Sequence, residues 1–223
     1  MNVVIFGATG MVGQGVLREC LLDPTVTRVL TVGRSATGAS NPRLKEIVHS
    51  DFFNLDPIAG ELTGLDACFF CLGITSVGMS EADYTRITFD LTMAVARTLV
   101  RTSPGMTFVF TSGAGADSTE NGALMWARVK GKAENGVLGL PFRASYVFRP
   151  GAIQPLHGIK SRTGWYHALY VMLSPAMSLA RRLAPRHILT TEQIGRAMIR
   201  VAQRGAPKRV LEAPDIYAAA VQP

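Results

Sequence analysis

Three glycines near the start of the chain carry the first chemistry it suggests. The apolar run Asn2-Val3-Val4-Ile5-Phe6 leads straight into Gly7-Ala8-Thr9-Gly10-Met11-Val12-Gly13, a G-x-x-G-x-x-G spacing, and residues 14–22 then read as a helix. A strand, a glycine-rich turn and a helix in that order make a cradle for a diphosphate. Gly7 permits the sharp turn. Gly10 lets the backbone approach a pyrophosphate with no Cβ in the way, and Gly13 lets the helix sit close to the strand. The amides at the helix start face the phosphate with the positive end of the macrodipole. The spacing predicts a nicotinamide dinucleotide touching Gly7, Thr9, Gly10, Met11, Val12 and Gly13.

The end of the second strand separates the two nicotinamide cofactors. An acidic side chain there hydrogen-bonds the ribose 2′-hydroxyl and repels a 2′-phosphate. The sequence is Thr31-Val32-Gly33-Arg34-Ser35, with no Asp or Glu before Glu46. Arg34 offers a planar fork to a 2′-phosphate and Ser35 a further hydrogen bond, so NADP(H) is expected over NAD(H). Asp51 and Phe52, just past the third strand, are adenine-side candidates, with Asp51 suited either to the adenine amino group or to capping its own loop. Leu72 and Gly73, at the end of the fourth strand, are expected to line the adenosine side, because ligands of open α/β sheets bind at the carboxyl edge. Cys68-Phe69-Phe70-Cys71 has a C-x-x-C spacing, but it lies in the apolar run 67–72, away from any helix start that would lower a thiol pKa. It reads as core packing. No metal site is expected.

These residues need a scaffold, and the pattern supplies one. Strand-like runs at 28–32, 46–49, 67–72, 107–111 and 145–148 alternate with helical patterns. Between the fourth and fifth strands, Ile87, Leu91, Val95 and Leu99 recur every four residues within 82–102, the stripe of a long amphipathic helix. The alternation predicts an α/β fold, a doubly wound parallel sheet of Rossmann type covered on both faces. After Arg149-Pro150-Gly151 it stops. Residues 152–188 read as an insertion forming a small C-terminal helical substrate lobe within one NAD(P)-binding domain, 1–223. Thr190-Thr191-Glu192-Gln193 then resembles a capped helix start, with the helix running to about 203 and stopping at Gly205. A last strand is expected at 209–212.

The chain has 223 residues, of which 48% are hydrophobic and 17% charged, enough for a compact core and against disorder. The uncharged stretch 164–180 is shorter than a typical membrane span, and no integral membrane segment is expected. The first strand begins at residue 2, which leaves no room for a leader, and Cys20, Cys68 and Cys71 form no disulfide framework, so a reducing cytoplasmic location is expected. The net charge of +7 is scattered, without the aromatic-interleaved basic run of a nucleic-acid site. The long helices at 82–102 and 124–138 offer faces for a homodimer.

With these residues in place, the chain resembles the short-chain dehydrogenase/reductase superfamily, specifically its atypical members. Among them it is similar to the Tat-interacting-protein-like oxidoreductases and relatives of the NAD-dependent epimerase/dehydratases. The resemblance rests on residues 7–13, Val32-Gly33-Arg34, Asp51, Leu72-Gly73, Ser112, Val129-Lys130-Gly131-Lys132-Ala133-Glu134 and Phe148-Arg149-Pro150-Gly151. It implies a Ser, Tyr and Lys active site, with Tyr and Lys four residues apart on one helix face, where the ammonium lowers the phenol's pKa for proton exchange with substrate. Ser112 matches the serine that orients the carbonyl, and Lys130 the lysine that also holds the nicotinamide ribose. Pro150 and Gly151 match the residues that shape the nicotinamide end. The tyrosine position is Trp126, whose indole N–H donates only and cannot shuttle a proton. Lys132 has Arg128 four residues before it, and of the remaining tyrosines Tyr166 and Tyr170 lie in the insertion. Two readings follow: an NADP(H)-dependent oxidoreductase moving a hydride to or from a small carbonyl or alcohol through a degenerate Ser-(Trp)-Lys site, or an inactive NADP(H)-binding redox sensor or scaffold.

Overall fold

The computed structural model describes residues 1–159 and 184–221. Seven parallel strands form the main sheet: β1 (Asn2–Phe6), β2 (Arg28–Gly33), β3 (Leu44–Val48), β4 (Ala67–Phe70), β5 (Thr107–Thr111), β6 (Ala144–Arg149) and, near the end of the chain, β9 (Val210–Glu212). Their spatial order is β3-β2-β1-β4-β5-β6-β9. The chain runs outward from β1 to β3, then returns to the other side of β1 to lay down β4. That reversal between β1 and β4 opens a crevice at the carboxyl edge, where doubly wound sheets take their ligands. Two short strands, β7 (Ala152–Gln154) and β8 (Ile188–Thr190), pair in parallel as a separate ribbon flanking the stretch 155–187.

Both faces of the sheet are covered because strand residues are apolar on both sides. α1 (Met11–Leu22) packs with α5 (Thr191–Arg204) over one face, joined by α6 (Ala213–Val221), and their core includes Val3, Ile5, Val16, Phe69, Ile194 and Met198. On the other face, α3 (Leu91–Thr102) and α4 (Met125–Leu138) cover a row of rings in which Phe6, Phe70, Phe108 and Phe142 follow one another at centroid distances of 5.1–5.9 Å. α1 and α5 approach closely: a Cβ on Gly15 would lie 2.6 Å from the Thr191 side chain. The expected cap is present at α5, where the Thr190 hydroxyl accepts from the Gln193 amide at 3.0 Å and Gln193 Oε1 accepts from the Thr190 amide at 2.9 Å.

The long helix at 82–102 departs from its predicted form. It is built as α2 (Glu81–Thr85), a π-helical turn at Arg86–Asp90 and α3. The wide turn advances the chain by an extra residue, so Ile87 leaves the stripe and is 38% exposed while Val95 and Leu99 are fully buried. Thr88 and Thr92 occupy the inward positions instead, with the Thr92 hydroxyl donating to the Thr88 carbonyl at 2.7 Å. β4 ends at Phe70, two residues short of its predicted end, where the chain turns toward the crevice. No helix among the described residues is long and apolar enough to cross a membrane; the stretch 164–180, Tyr166 and Tyr170 lie outside them.

Candidate active site

All strands of the main sheet point the same way, so every site residue expected from the sequence sits on a loop at one carboxyl edge or on the helix that follows it. β1 delivers the chain into Gly7 at φ +83°, a left-handed conformation. A Cβ on Gly7 would lie 2.7 Å from the Cys71 carbonyl, and one on Gly13 would lie 2.0 Å from the Gly7 oxygen. The Gly10 amide donates to the Gly7 carbonyl at 2.9 Å and closes the turn. α1 then starts with no side-chain cap at Gly10 and no acid in its first turn, which leaves its positive end for an external anion. Met11 and Val12 pack their side chains against the core, so their contribution to a ligand is main-chain. A cradle that a Cβ would fill, at an uncapped helix start, fits a dinucleotide diphosphate.

On the adenosine side, Arg34 is exposed just past β2 and forms no ion pair among the described residues, with Ser35 beside it. Glu46 has a role the sequence did not reveal. It lies opposite Thr31 in the β2–β3 register and accepts from the Thr37 amide at 2.7 Å and the Thr31 hydroxyl at 3.3 Å. Burial works to raise its pKa, but the hydrogen bonds from Thr37 and Thr31 outweigh it and hold the carboxyl below its usual range. This acid therefore shapes the loop that carries Arg34. Asp51 caps its own loop, accepting from the Phe53 amide at 3.0 Å. Phe52 turns its ring into the core against Phe6, centroid to centroid 6.1 Å, so any contact it makes with a ligand is through its main chain. Leu72 is half-buried and Gly73 exposed past β4. Cys68 faces the α3/α4 core while Cys71 packs toward α1, on opposite sides of the sheet. Burial pushes the Cys71 thiol up to about 12, the opposite of a redox cysteine.

At the other end of the crevice, the loops after β5 and β6 are zipped together. Ser112 donates its amide to the Phe148 carbonyl at 2.8 Å, and Ala114 to that of Pro150 at 3.0 Å. The β5 loop is also pressed onto α4: the Asp117 amide donates to the Ala127 carbonyl at 2.9 Å, and a Cβ on Gly131 would stand 1.7 Å from the Asp117 oxygen. Glycine at 131 is what lets loop and helix touch. This packing brings Lys130 Cε to 4.0 Å from the Cβ position of Gly113, the neighbour of Ser112. Ser112 is buried and its hydroxyl has no hydrogen-bond partner among the described residues. Lys130 forms no ion pair among the described residues, and burial lowers its pKa against an opposing pull from Glu134. Trp126 lies over Gly115, its Cη2 3.2 Å from that residue's Cβ position. Gly151 abuts the strand β8 end, 3.6 Å from the His187 carbonyl by the same measure. Tyr84 does not stand in for a proton donor here: it is buried in α2, its pKa raised by that burial, and bonded to Thr88.

No family model matches the chain. In fold it is similar to a short-chain dehydrogenase/reductase superfamily protein from Agrobacterium tumefaciens solved with bound NAD, with a TM-score of 0.65 and 13% identity over 95% of this chain and 77% of that one. In sequence it is 33% identical over 159 residues to protein fmp52, mitochondrial, of Emericella nidulans, a match covering 68% of this chain and 66% of the relative. It is 31% identical over 156 residues to Protein HTATIP2 of Rattus norvegicus, covering 68% of this chain and 62% of the relative. The chain is a homologue of the fmp52 and HTATIP2 proteins with the fold of NAD-binding short-chain dehydrogenases/reductases. Its match thus spans 66% and 62% of those two relatives' own lengths.

The relatives also bear on the location that the cysteines suggested. The fungal relatives are named mitochondrial proteins, which overturns the expected cytoplasmic location. Free thiols report a reducing surrounding, and they do not distinguish one reducing compartment from another. The burial of Lys130 can be tested directly. An ammonium buried without an ion pair opposes folding, whereas a ligand-facing lysine earns its place on binding. Lys130→Met is therefore expected to melt at or above the wild-type temperature while binding NADPH about tenfold or more weakly, the loss of one charged hydrogen bond. Thermal denaturation and calorimetry on the same sample check it; a melting temperature several degrees lower would assign Lys130 to the scaffold.

Proposed function

We propose that this chain is an oxidoreductase that binds NADP(H) along the carboxyl edge of the sheet, from Arg34 and Ser35 past the residue 7–13 turn to Pro150 and Gly151, and acts on a small carbonyl or alcohol. The dinucleotide, when bound, supplies or accepts the hydride. Ser112 orients the substrate oxygen through its hydroxyl, and Lys130 holds the nicotinamide ribose hydroxyls. The observation that carries this reading is the buried Ser112 hydroxyl, without a partner among the described residues and next to Gly113, against which Lys130 lies. A hydroxyl buried with no acceptor or donor costs about 1–3 kcal/mol, a cost that persists naturally where a ligand completes the pair. The preference for NADP(H) is supported by the exposed Arg34 and by the occupation of Glu46 with its own loop. The insertion 152–188 is the proposed substrate lobe.

Trp126 favours a second reading, a dinucleotide-binding protein without turnover, because indole supplies no exchangeable acidic proton. Two measurements separate these. Arg34→Ala is expected to weaken NADPH binding by about 1–3 kcal/mol, roughly tenfold to a hundredfold, while NADH binding changes little. Equal weakening of both would refute the 2′-phosphate assignment. Oxidation of NADPH in the presence of a panel of small aldehydes and ketones tests turnover, and Ser112→Ala should reduce any rate found by about a hundredfold. A panel with no active member supports the sensor reading.

A further inference from the structure

Lys130 and Glu134 stand four residues apart on α4, the spacing at which lysine and glutamate ordinarily pair on a helix. They do not pair. Glu134 is fully buried, and both of its oxygens are taken by Arg149 at the end of β6: Nε donates to Oε1 at 3.0 Å and to Oε2 at 3.2 Å, and Nη2 also bonds Oε2. The same guanidinium donates to the Ser118 hydroxyl at 2.6 Å and to Glu212 Oε1 at 3.2 Å. Arg149 thus joins α4, the β5–α4 loop, β6 and β9, immediately before Pro150 and Gly151.

We infer that Arg149 is a positioning residue for Lys130: by holding Glu134 in a two-pronged grip it keeps that carboxylate from capturing the Lys130 ammonium, which stays available to a ligand's ribose hydroxyls. A fork-shaped cation suits this task, because it engages both carboxylate oxygens at once and so holds the carboxylate in place. The inference rests on the proposed ribose contact of Lys130. It differs from a purely structural account in one respect: removing Arg149 should harm binding through Glu134, so removing the charge of Glu134 as well should restore it.

The test is a cycle of Arg149→Met, Glu134→Gln and the double variant, each titrated by calorimetry with NADPH and with adenosine 2′,5′-bisphosphate, which lacks the nicotinamide ribose. Arg149→Met should bind NADPH about tenfold or more weakly and adenosine 2′,5′-bisphosphate unchanged; the double variant should return to within about threefold of wild type. A double variant as weak as Arg149→Met, or weakening of both ligands alike, overturns the inference. Should Arg149→Met not fold, Arg149→Gln is read in its place against its own Glu134→Gln double, with the same two outcomes. Failure of wild-type protein to bind adenosine 2′,5′-bisphosphate would instead strike the dinucleotide reading itself.

Discussion

Gly10→Ala should fold like the wild type and lose most of its dinucleotide affinity, while Gly13→Ala should lose both affinity and stability. The two glycines are three residues apart in one turn, and their surroundings differ. A Cβ on Gly10 would meet only the Gly7 oxygen, at 3.3 Å, and the Gly10 backbone has an ordinary φ of −79°. The scaffold accepts alanine there; a pyrophosphate lying against the turn would not. A Cβ on Gly13 would be 2.0 Å from the Gly7 oxygen, 2.7 Å from its carbonyl carbon and 2.9 Å from Ala8 Cα, all backbone atoms that cannot swing away. Forcing it in costs about 1–3 kcal/mol, or roughly 2–4 °C of melting temperature per kcal/mol at this size. Calorimetry and thermal melts on both variants decide the matter. A Gly10→Ala protein that binds NADPH as wild type does would mean that the turn is built for packing alone.

Trp126→Tyr should create or raise carbonyl reductase activity. Residue 126 sits one turn before Lys130 on α4, where a phenol would share the helix face with the ammonium. Ser112 is already in place beside Gly113, against which Lys130 lies. If the proton donor is the missing part, restoring it is worth about a hundredfold to ten-thousandfold in rate, the usual contribution of a positioned general acid. The measurement is NADPH oxidation across small aldehydes and ketones, with Trp126→Phe as the control for relief of bulk. A gain in both variants would credit space, and a gain in neither would mean that the pocket is not shaped for carbonyl reduction.

The parts of this molecule that were legible in its sequence are those fixed by local chemistry. Gly7 and Gly13 announce their turn because a Cβ on either would stand within 3 Å of backbone atoms; Gly10 completes the spacing through the room it leaves for a ligand. The parallel sheet is legible because strands buried on both faces are apolar throughout. What escaped depends on partners distant along the chain. Glu46 reads as a surface acid on a strand, and only the β2–β3 register shows it gripping the loop that bears Arg34. Arg149 and Glu134 stand in motif stretches of the sequence, yet their pairing joins residues 15 apart and shows only in the fold. The stripe through Ile87 failed because a π turn changes the helical period midway. Position near an edge says nothing of which way the Phe52 ring turns, and only the fold shows it against Phe6.

The most direct test of the account is titration of the purified chain with NADPH and NADH in parallel at moderate salt. Saturable binding of one NADPH per chain, tighter than NADH and reduced to the NADH level by Arg34→Ala, is the predicted result. No saturable heat with either dinucleotide would contradict it.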